Sequence, residues 1–431
     1  MLFYMTTSNT IPKKSTLRIL HTSDWHLGKR LYQEQRYDEF AQFLDWLIDV
    51  LNEHEVDVLI VAGDIFDTMT PSNKAQELYY KFLGSTAKSA CRHVIITAGN
   101  HDSPTFLDAP KTILRALNIQ VIGIASDDIS DELLILHKGD TPEAIILAVP
   151  YLRDKDVRAS KSFDDITTKE CDTIQGITNH YQTLSEQAKQ TQADILNKFN
   201  KKIPIIATGH LFAAGASVSS KDDGMRDLYV GTLGQISANI FDECIDYVAL
   251  GHIHAPQKVA GYDHIRYCGS PIAMGFGEAG KAKQVLLVDF DDANTKPSIT
   301  ALPVPVFQKL ARINGDWDQI TKELIKLTEY GQSIWVEIIY TGNEIRPTLV
   351  QDIRSLLEYS LVTALNIQNK TLYQQSLSLH HRTIDLKQLT EMQVFETLLN
   401  QNDIEDAEQQ ALKQAYQTLL TELHDTDHSA E

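Results

Sequence analysis

Five short apolar runs in this chain each end in a loop bearing Asp, Asn or His, and that repetition narrows the folds open to it more than any other feature. Leu17-Arg18-Ile19-Leu20 leads into His21-Thr22-Ser23-Asp24-Trp25-His26, and Val58 to Val61 leads into Gly63-Asp64-Ile65-Phe66-Asp67. His93 to Thr97 leads into Gly99-Asn100-His101-Asp102, Ile203 to Ile206 into Gly209-His210, and Tyr247 to Leu250 into Gly251-His252-Ile253-His254. Apolar runs of this length, bounded by turn residues, read as buried strands. Strand ends need turn formers, but folding alone does not ask for hard metal-ligand side chains at all of them. A metal centre at the strand ends is the economical reading.

Between the runs the period changes. Asp38 to Leu51 sets Phe40, Phe43, Leu44, Leu47, Ile48 and Leu51 on one helical face, and Asn73 to Leu83 reads as a second helix. Strands alternating with helices from Leu17 to about Phe290 predict an α/β fold, a sheet covered by helices on both sides with ligands beyond the carboxyl ends of its strands. Ala144 to Val149 is a further buried strand, closing at Pro150. The polar, helix-rich stretch from Arg153 to Lys202 reads as an exposed insertion without chemistry of its own. Ile265 to Cys268, the turn Gly269-Ser270-Pro271 and a strand Val285 to Phe290 complete the core.

Composition then shifts. Pro303-Val304-Pro305 reads as a stiff linker to a small α+β module of Phe307 to Ile313, the strand Ser333 to Tyr340 and the helix Pro347 to Tyr359, with Pro347 suited to its first turn. From Lys387 the chain is acidic, and Leu389, Val394, Leu398, Leu399, Ile404, Leu412, Tyr416, Leu419 and Leu423 recur at helical spacing. Such helices pack on their own domain or dock a partner. The chain thus divides into a flexible extension at 1–16, in which Met5 is a second candidate start, a catalytic domain at 17–302, the module at 303–384, a helical region at 385–424 and a disordered tail at 425–431.

On an extended strand end alternate side chains point the same way, so Asp24 and His26 can reach one ion, and His252 and His254 repeat the arrangement. A carboxylate such as Asp64 can bridge two cations, while Asn100 and His210 complete a mixed nitrogen and oxygen set. Asp24, His26, Asp64, Asn100, His210, His252 and His254 suit two adjacent ions with open water positions. Without Cys, the set favours Mn²⁺ or Fe, admits Zn²⁺ and suits Mg²⁺ less. Phosphoester hydrolysis is the reaction most in need of such a site, which activates water and neutralises the attacking and leaving oxygens. His101 is the candidate general acid, with Asp102 to orient its ring. A lone Asp caps a helix and a lone His satisfies a strand end, but five loops of one construction are not accounted for in that way. His21, His54, His93, His137, His180, His264, His380 and His381 read as surface or core residues.

The 39 basic and 58 acidic residues give a net charge of −19, which opposes attraction to a polyanion unless ions or a basic partner reverse the field locally. Cys91, Cys171, Cys244 and Cys268 form no CxxC pair and read as reduced thiols. The first sixteen residues hold too short an apolar cluster for a signal peptide, and no later stretch approaches a membrane span, so a soluble cytoplasmic protein is expected.

Asp24-x-His26, Gly63-Asp64-x-x-Asp67, Gly99-Asn100-His101-Asp102, Gly209-His210 and Gly251-His252-x-His254 together resemble the motif set of the calcineurin-like metallophosphoesterases. The residues around them, His21 to Gly28, Val61 to Thr68, Ala207 to His210, Ala249 to His254 and Tyr267 to Pro271, are similar to the bacterial DNA exonuclease subunits of that superfamily, over nearly the whole chain. The resemblance implies a β-sheet core flanked by helices in a four-layer α/β/β/α arrangement, with a small α+β domain capping the active site. It implies an Mn²⁺-dependent exonuclease on duplex ends and endonuclease on single strands and hairpins, active in DNA repair, recombination and replication. The implied partner is an ATPase whose coiled coil is gripped by the C-terminal helices, in a heterotetramer containing a homodimer of this chain joined through the helices Asp38 to Leu51 and Asn73 to Leu83. On that model Asp24, His26, Asp64 and His254 hold one ion, Asp64, Asn100, His210 and His252 the other, and His101 is the acid. Relatives outside the bacteria usually carry His at the position of Asp67, so no catalytic role is carried over to Asp67.

The partner is expected to supply much of the DNA grip, since affinity comes largely from Lys and Arg at phosphates. Lys29 and Arg30 are candidate DNA contacts, whereas the loop Ala213 to Arg226 reads as ordinary solvated chain. A phosphodiesterase or phosphatase for a small molecule or phosphoprotein would share the metal centre but stop where the core stops. A non-catalytic scaffold would have lost ligands.

Overall fold

The structure, a computed structural model, describes residues 16–126, 128–157, 166–213, 236–291, 294–344 and 346–370, with 412, 413 and 416. The extension expected at 1–16 (save Thr16), the loop Ala213 to Arg226 beyond its first residue, and the helices expected over 385–424 (save those last three residues) lie outside the described residues.

Two six-stranded sheets face each other. The first orders its strands Asn294–Pro303, Gln284–Asp291, Leu17–Thr22, Val58–Ala62, His93–Thr97 and Ile119–Ile122, the last four mutually parallel. The second runs Gln257–Val259, Tyr262–Tyr267, Tyr247–Gly251, Ile205–His210, Thr141–Leu147 and Leu133–Lys138, its middle four parallel. Because strand side chains alternate, each strand feeds two cores. Ile19, Val58, Ile60 and Ile95 of the first sheet meet Ala144, Ile146, Ile206 and Ala249 of the second. Leu20, Leu59 and Val61 turn the other way, under Phe40, Phe43 and Leu47 of helix Tyr37–Glu53 and Tyr79 and Phe82 of helix Asn73–Thr86. Strands buried on both faces must be apolar almost without break, which is why the sequence shows runs rather than alternation. The result is the four-layer α/β/β/α arrangement.

The fourth layer corrects an expectation. Helix Ile166–Phe199 is not an exposed insertion: Ile177, Tyr181, Leu184 and Ala188 are buried against Ile145, Leu147, Ile205 and Ala207. Its polarity belongs to the outer face of a long helix with one narrow apolar stripe. Strand Asn294–Pro303, a polar edge strand paired with Gln284–Asp291, has no apolar run to mark it in the sequence. The expected stiff linker is tied to the core at its start, where buried Val304 donates its N–H to the Lys283 carbonyl at 2.9 Å.

The small module has a three-stranded sheet, Lys309–Gly315, Ile334–Tyr340 and Val362–Asn369, with helices Trp317–Glu329 and Leu349–Leu357. The first helix was not read from sequence, and the second begins two residues after Pro347, which therefore stands outside it. One compact unit runs to Asn314 and also takes Asp318–Ile338 and Thr348–Ile367. Within it Leu310 is buried with Leu31 and Phe276, and Tyr32 donates to Glu337 Oε1 at 2.7 Å. A second unit takes Gly315–Trp317, Ile339–Pro347 and the described residues from Gln368; in it the Arg346 guanidinium lies 4.4 Å over the Trp317 ring. Among the described residues no helix is long and apolar enough to cross a membrane.

Candidate metal centre

The loops that follow the parallel strands are laced together by their backbones. Asp24 N–H donates to Gly63 O at 3.0 Å, His26 N–H to Asp64 O at 3.0 Å and Leu27 N–H to Ile65 O at 2.9 Å. This lacing needs a backbone that no strand has: Asp24 (φ 54°), His26 (φ 50°), Asp64 (φ 53°) and His252 (φ 100°) all have positive φ. The expectation that Asp24 and His26 sit on an extended strand end is thus corrected. Both face one centre because each occupies a left-handed position, at a cost of about 1–3 kcal/mol apiece that the surrounding bonds must offset. Glycine is required where loops touch: a Cβ at Gly251 would overlap the Ala62 carbonyl oxygen, and one at Gly99 would overlap the Asp64 carboxylate.

The seven expected side chains are brought together. Asp64 Oδ2 lies 3.3 Å from His210 Nε2 and 3.5 Å from His26 Nε2, so one carboxylate stands between two imidazoles. Asn100 Oδ1 is 3.0 Å from His210 Nε2 and 3.0 Å from His252 Nδ1. His26 Nε2 and His254 Nε2 approach to 3.2 Å. Ligand atoms of Asp24, His26 and His254, of Asp24, Asp64 and His210, and of His26, Asp64 and His101 lie within 4.8 Å of one another. Behind them, His210 Nδ1 donates to Ala62 O at 3.0 Å, leaving Nε2 for the centre, and His252 N–H donates to Asp24 Oδ1 at 2.9 Å.

Asp102 does other work than expected. Its carboxylate accepts the N–H groups of Gly99 (2.8 Å), Phe66 (2.9 Å) and Ile65 (3.1 Å), pinning the Asp64 and Asn100 loops together. The His101 ring is oriented instead by Asp67, whose carbonyl oxygen lies 2.9 Å from Nδ1. The Asp67 carboxylate lies 3.4 Å from His26 Nδ1 and accepts from Lys29 Nζ at 3.1 Å. The contact to His101 runs through the Asp67 backbone carbonyl, which leaves no trace in residue type. Of the candidate DNA contacts, Lys29 therefore faces Asp67, while exposed Arg30 donates to the Gln33 carbonyl at 2.8 Å. Ser23, also unforeseen, donates to Asp24 Oδ2.

Charge balance tests whether cations fit. Burial lifts Asp24 above the usual carboxylate range, against the pull of His210. Burial would lift Asp64 too, but His210, His26 and His101 hold it well below that range. Burial opposes a charged imidazole at His210, yet Asp64 lifts that ring to about 9, and the Asp67 and Asp64 carboxylates likewise raise His26. His252 is pushed down to about 3 by burial and His210, and His254 well down by burial and His26. The buried carboxylates thus favour positive charge on the His210 and His26 rings. A cation would supply that charge and free both nitrogens as ligands, so the donor set fits metal. Asp102 is lifted to about 6 by burial and the Asp64 charge, against its three N–H donors.

A family model described as Calcineurin-like phosphoesterase matches residues 17–256, and one described as Type 5 capsule protein repressor C-terminal domain matches residues 306–403. The chain is 36% identical over 406 residues to the SbcD subunit of the nuclease SbcCD of Escherichia coli (strain K12), covering 94% of this chain and 98% of that protein. It is 32% identical over 274 residues to the Bacillus subtilis (strain 168) protein of the same name, covering 63% of this chain and 66% of that protein. For the Rhodobacter capsulatus protein of that name the identity is 33% over 297 residues, covering 67% and 70%. With its strand-end loops converging on one buried donor set, the chain belongs to the calcineurin-like phosphoesterases and, within them, to the SbcD nuclease family.

Proposed function

We propose that this chain is a metal-dependent DNA nuclease subunit, exonuclease on duplex ends and endonuclease on single strands and hairpins, acting with an SbcC-type ATPase in repair, recombination and replication. The observation that carries the reading is the Asp64 carboxylate held between the His26 and His210 rings, with Asn100 shared between His210 and His252. Family membership implies a dinuclear centre, and on this reading the ions are Mn²⁺. Asp24, His26, Asp64 and His254 would hold one ion, and Asp64, Asn100, His210 and His252 the other. When bound, the two ions supply an activated water and charge neutralisation for in-line displacement at phosphorus.

The rest falls to side chains. The Asp67 carbonyl accepts from His101 Nδ1–H and keeps that proton in place, so the acid form is the imidazolium and its second proton, on Nε2, is the one that passes to the departing alkoxide. Asp102 acts as a positioning residue that keeps the Asp64 and Asn100 loops in register. Residues 17–302 form the nuclease domain, 303–384 its capping module, a division supported by the second family model beginning at 306. The helices at 385–424 would grip the ATPase, within an assembly containing two copies of this chain, in the cytoplasm.

Degradation of end-labelled linear duplex by the purified chain, with and without Mn²⁺, the ATPase and ATP, tests the proposal. Cleavage that requires Mn²⁺ and changes when the ATPase is added is the expected result. Turnover of a small phosphodiester with no cleavage of DNA under any of these conditions would replace it with a small-molecule phosphodiesterase.

A further inference from the structure

On the Nδ1 side of the His254 ring the core encloses an ion pair that the reaction outlined above does not use. Lys283 Nζ lies 2.6 Å from Glu278 Oε2, 2.8 Å from Ser270 Oγ and 3.3 Å from the His254 carbonyl oxygen. Three acceptors match the three protons of an ammonium group. Glu278 Oε2 also accepts the Met274 N–H at 2.8 Å, which leaves Oε1 facing the His254 ring, 3.8 Å from Nδ1. Glu278 is 2% exposed, His254 7% and Lys283 9%.

A buried Lys–Glu pair is weak evidence for stability, because apolar residues of the same volume often serve a core as well or better. Packing does not explain why this pair is built around one residue. The ammonium holds the His254 carbonyl and the carboxylate stands before the His254 ring. His254 Nε2 points to the centre, 3.2 Å from His26 Nε2, while buried Nδ1 makes no hydrogen bond of its own. An imidazole that gives Nε2 to a cation carries its proton on Nδ1, and a buried N–H needs an acceptor.

We propose that Glu278 is a positioning residue of the metal centre, the acceptor for the Nδ1–H of His254 when Nε2 is given to the ion, with Lys283 anchoring both Glu278 and the His254 backbone. The inference rests on the reading of His254 as a ligand and extends it to the residues that aim the ligand.

The double variant Glu278→Leu/Lys283→Met removes the acceptor without burying an unpaired charge. Folding of the metal-free protein is followed by thermal melting, bound Mn²⁺ is counted by equilibrium dialysis with elemental analysis, and pairing of the ions is read from the exchange-coupled Mn²⁺ EPR spectrum. The expected variant melts near the wild type, keeps one ion tightly, binds the second roughly 10- to 100-fold more weakly and loses the coupled spectrum. Should the double variant not fold, Glu278→Gln/Lys283→Met carries the test, the Gln amide oxygen being a weaker acceptor that lowers affinity in the same direction while no buried charge is left unpaired. Two ions held as tightly as in the wild type, with the coupled spectrum intact, would show a merely structural pair and overturn the proposal. Wild-type protein that bound fewer than two Mn²⁺ would instead overturn the two-ion reading beneath it, so the two failures are distinguishable.

Discussion

His101 and His210 sit within one cluster but depend on different neighbours, and their substitutions should separate. His101 hangs on the Asp67 carbonyl, whereas His210 is wedged between Ala62 O and Asp64. His101→Ala should cut DNA cleavage by roughly 10²- to 10⁴-fold, the usual worth of a general acid, with Mn²⁺ content unchanged. His210→Ala should lower both, and near-full activity in the His101 variant would remove the general-acid assignment. His21 tests the fold beneath the site. It is fully buried, with Nδ1 2.9 Å from Tyr247 Oη, and burial pushes its pKa down to about 3 although a backbone bond with Leu250 opposes this. In the unfolded chain the group titrates near 6.5, so between these values the unfolded state binds the extra proton. The contribution of neutral His21 is therefore complete above pH 6.5 and is lost as pH falls toward 3, with a slope of up to about 1.4 kcal/mol per pH unit. Urea unfolding across that range should show a shallower pH slope for His21→Asn than for the wild type; identical slopes would mean that His21 is already protonated in the fold.

At the scale of elements, the strand-end loops were legible because they combine two signals, an apolar run and a donor-type residue at its end, that seldom coincide by chance. Strands Leu17–Thr22, Val58–Ala62, His93–Thr97 and Tyr247–Gly251 lie within a residue or two of their expected ends. Three features were not legible, for separate reasons. Positive φ at Asp24 and His26 is imposed by bonds to the Asp64 loop, distant in sequence. The roles of Asp67 and Asp102 run through backbone atoms that every residue has. Helix Ile166–Phe199 hides its core stripe because most of its surface faces solvent. That last point is measurable: Leu184→Ala should destabilise the protein by about 2–5 kcal/mol, the cost of an emptied core site, with the metal centre unchanged. An effect within ~0.5 kcal/mol, typical of surface positions, would restore the exposed-insertion reading.

For the whole molecule the difficulty is charge. A chain of −19 must bring a polyanion to a centre that itself holds Asp24 and Asp64. Bound cations can reverse the field at the strand ends, but that reach is short, since salt at physiological strength screens exposed charge beyond about 8 Å. Basic residues beside the first motif do not make up the deficit: Lys29 is engaged by Asp67, leaving Arg30 exposed. Duplex affinity rises with the number of phosphates neutralised, and each contributes about −0.9 to the slope of log K against log salt. The chain alone should therefore bind duplex weakly, with a shallow slope that Arg30→Ala flattens further. Adding the ATPase should steepen the slope, because the new phosphate contacts belong to the partner. Fluorescence anisotropy with labelled duplex, in Ca²⁺ to hold back cleavage and over about 50 to 200 mM salt, reads both slopes directly. A slope that stayed the same on adding the ATPase would place the DNA grip on this chain after all, and its exposed Lys and Arg side chains would then be the residues to replace one by one.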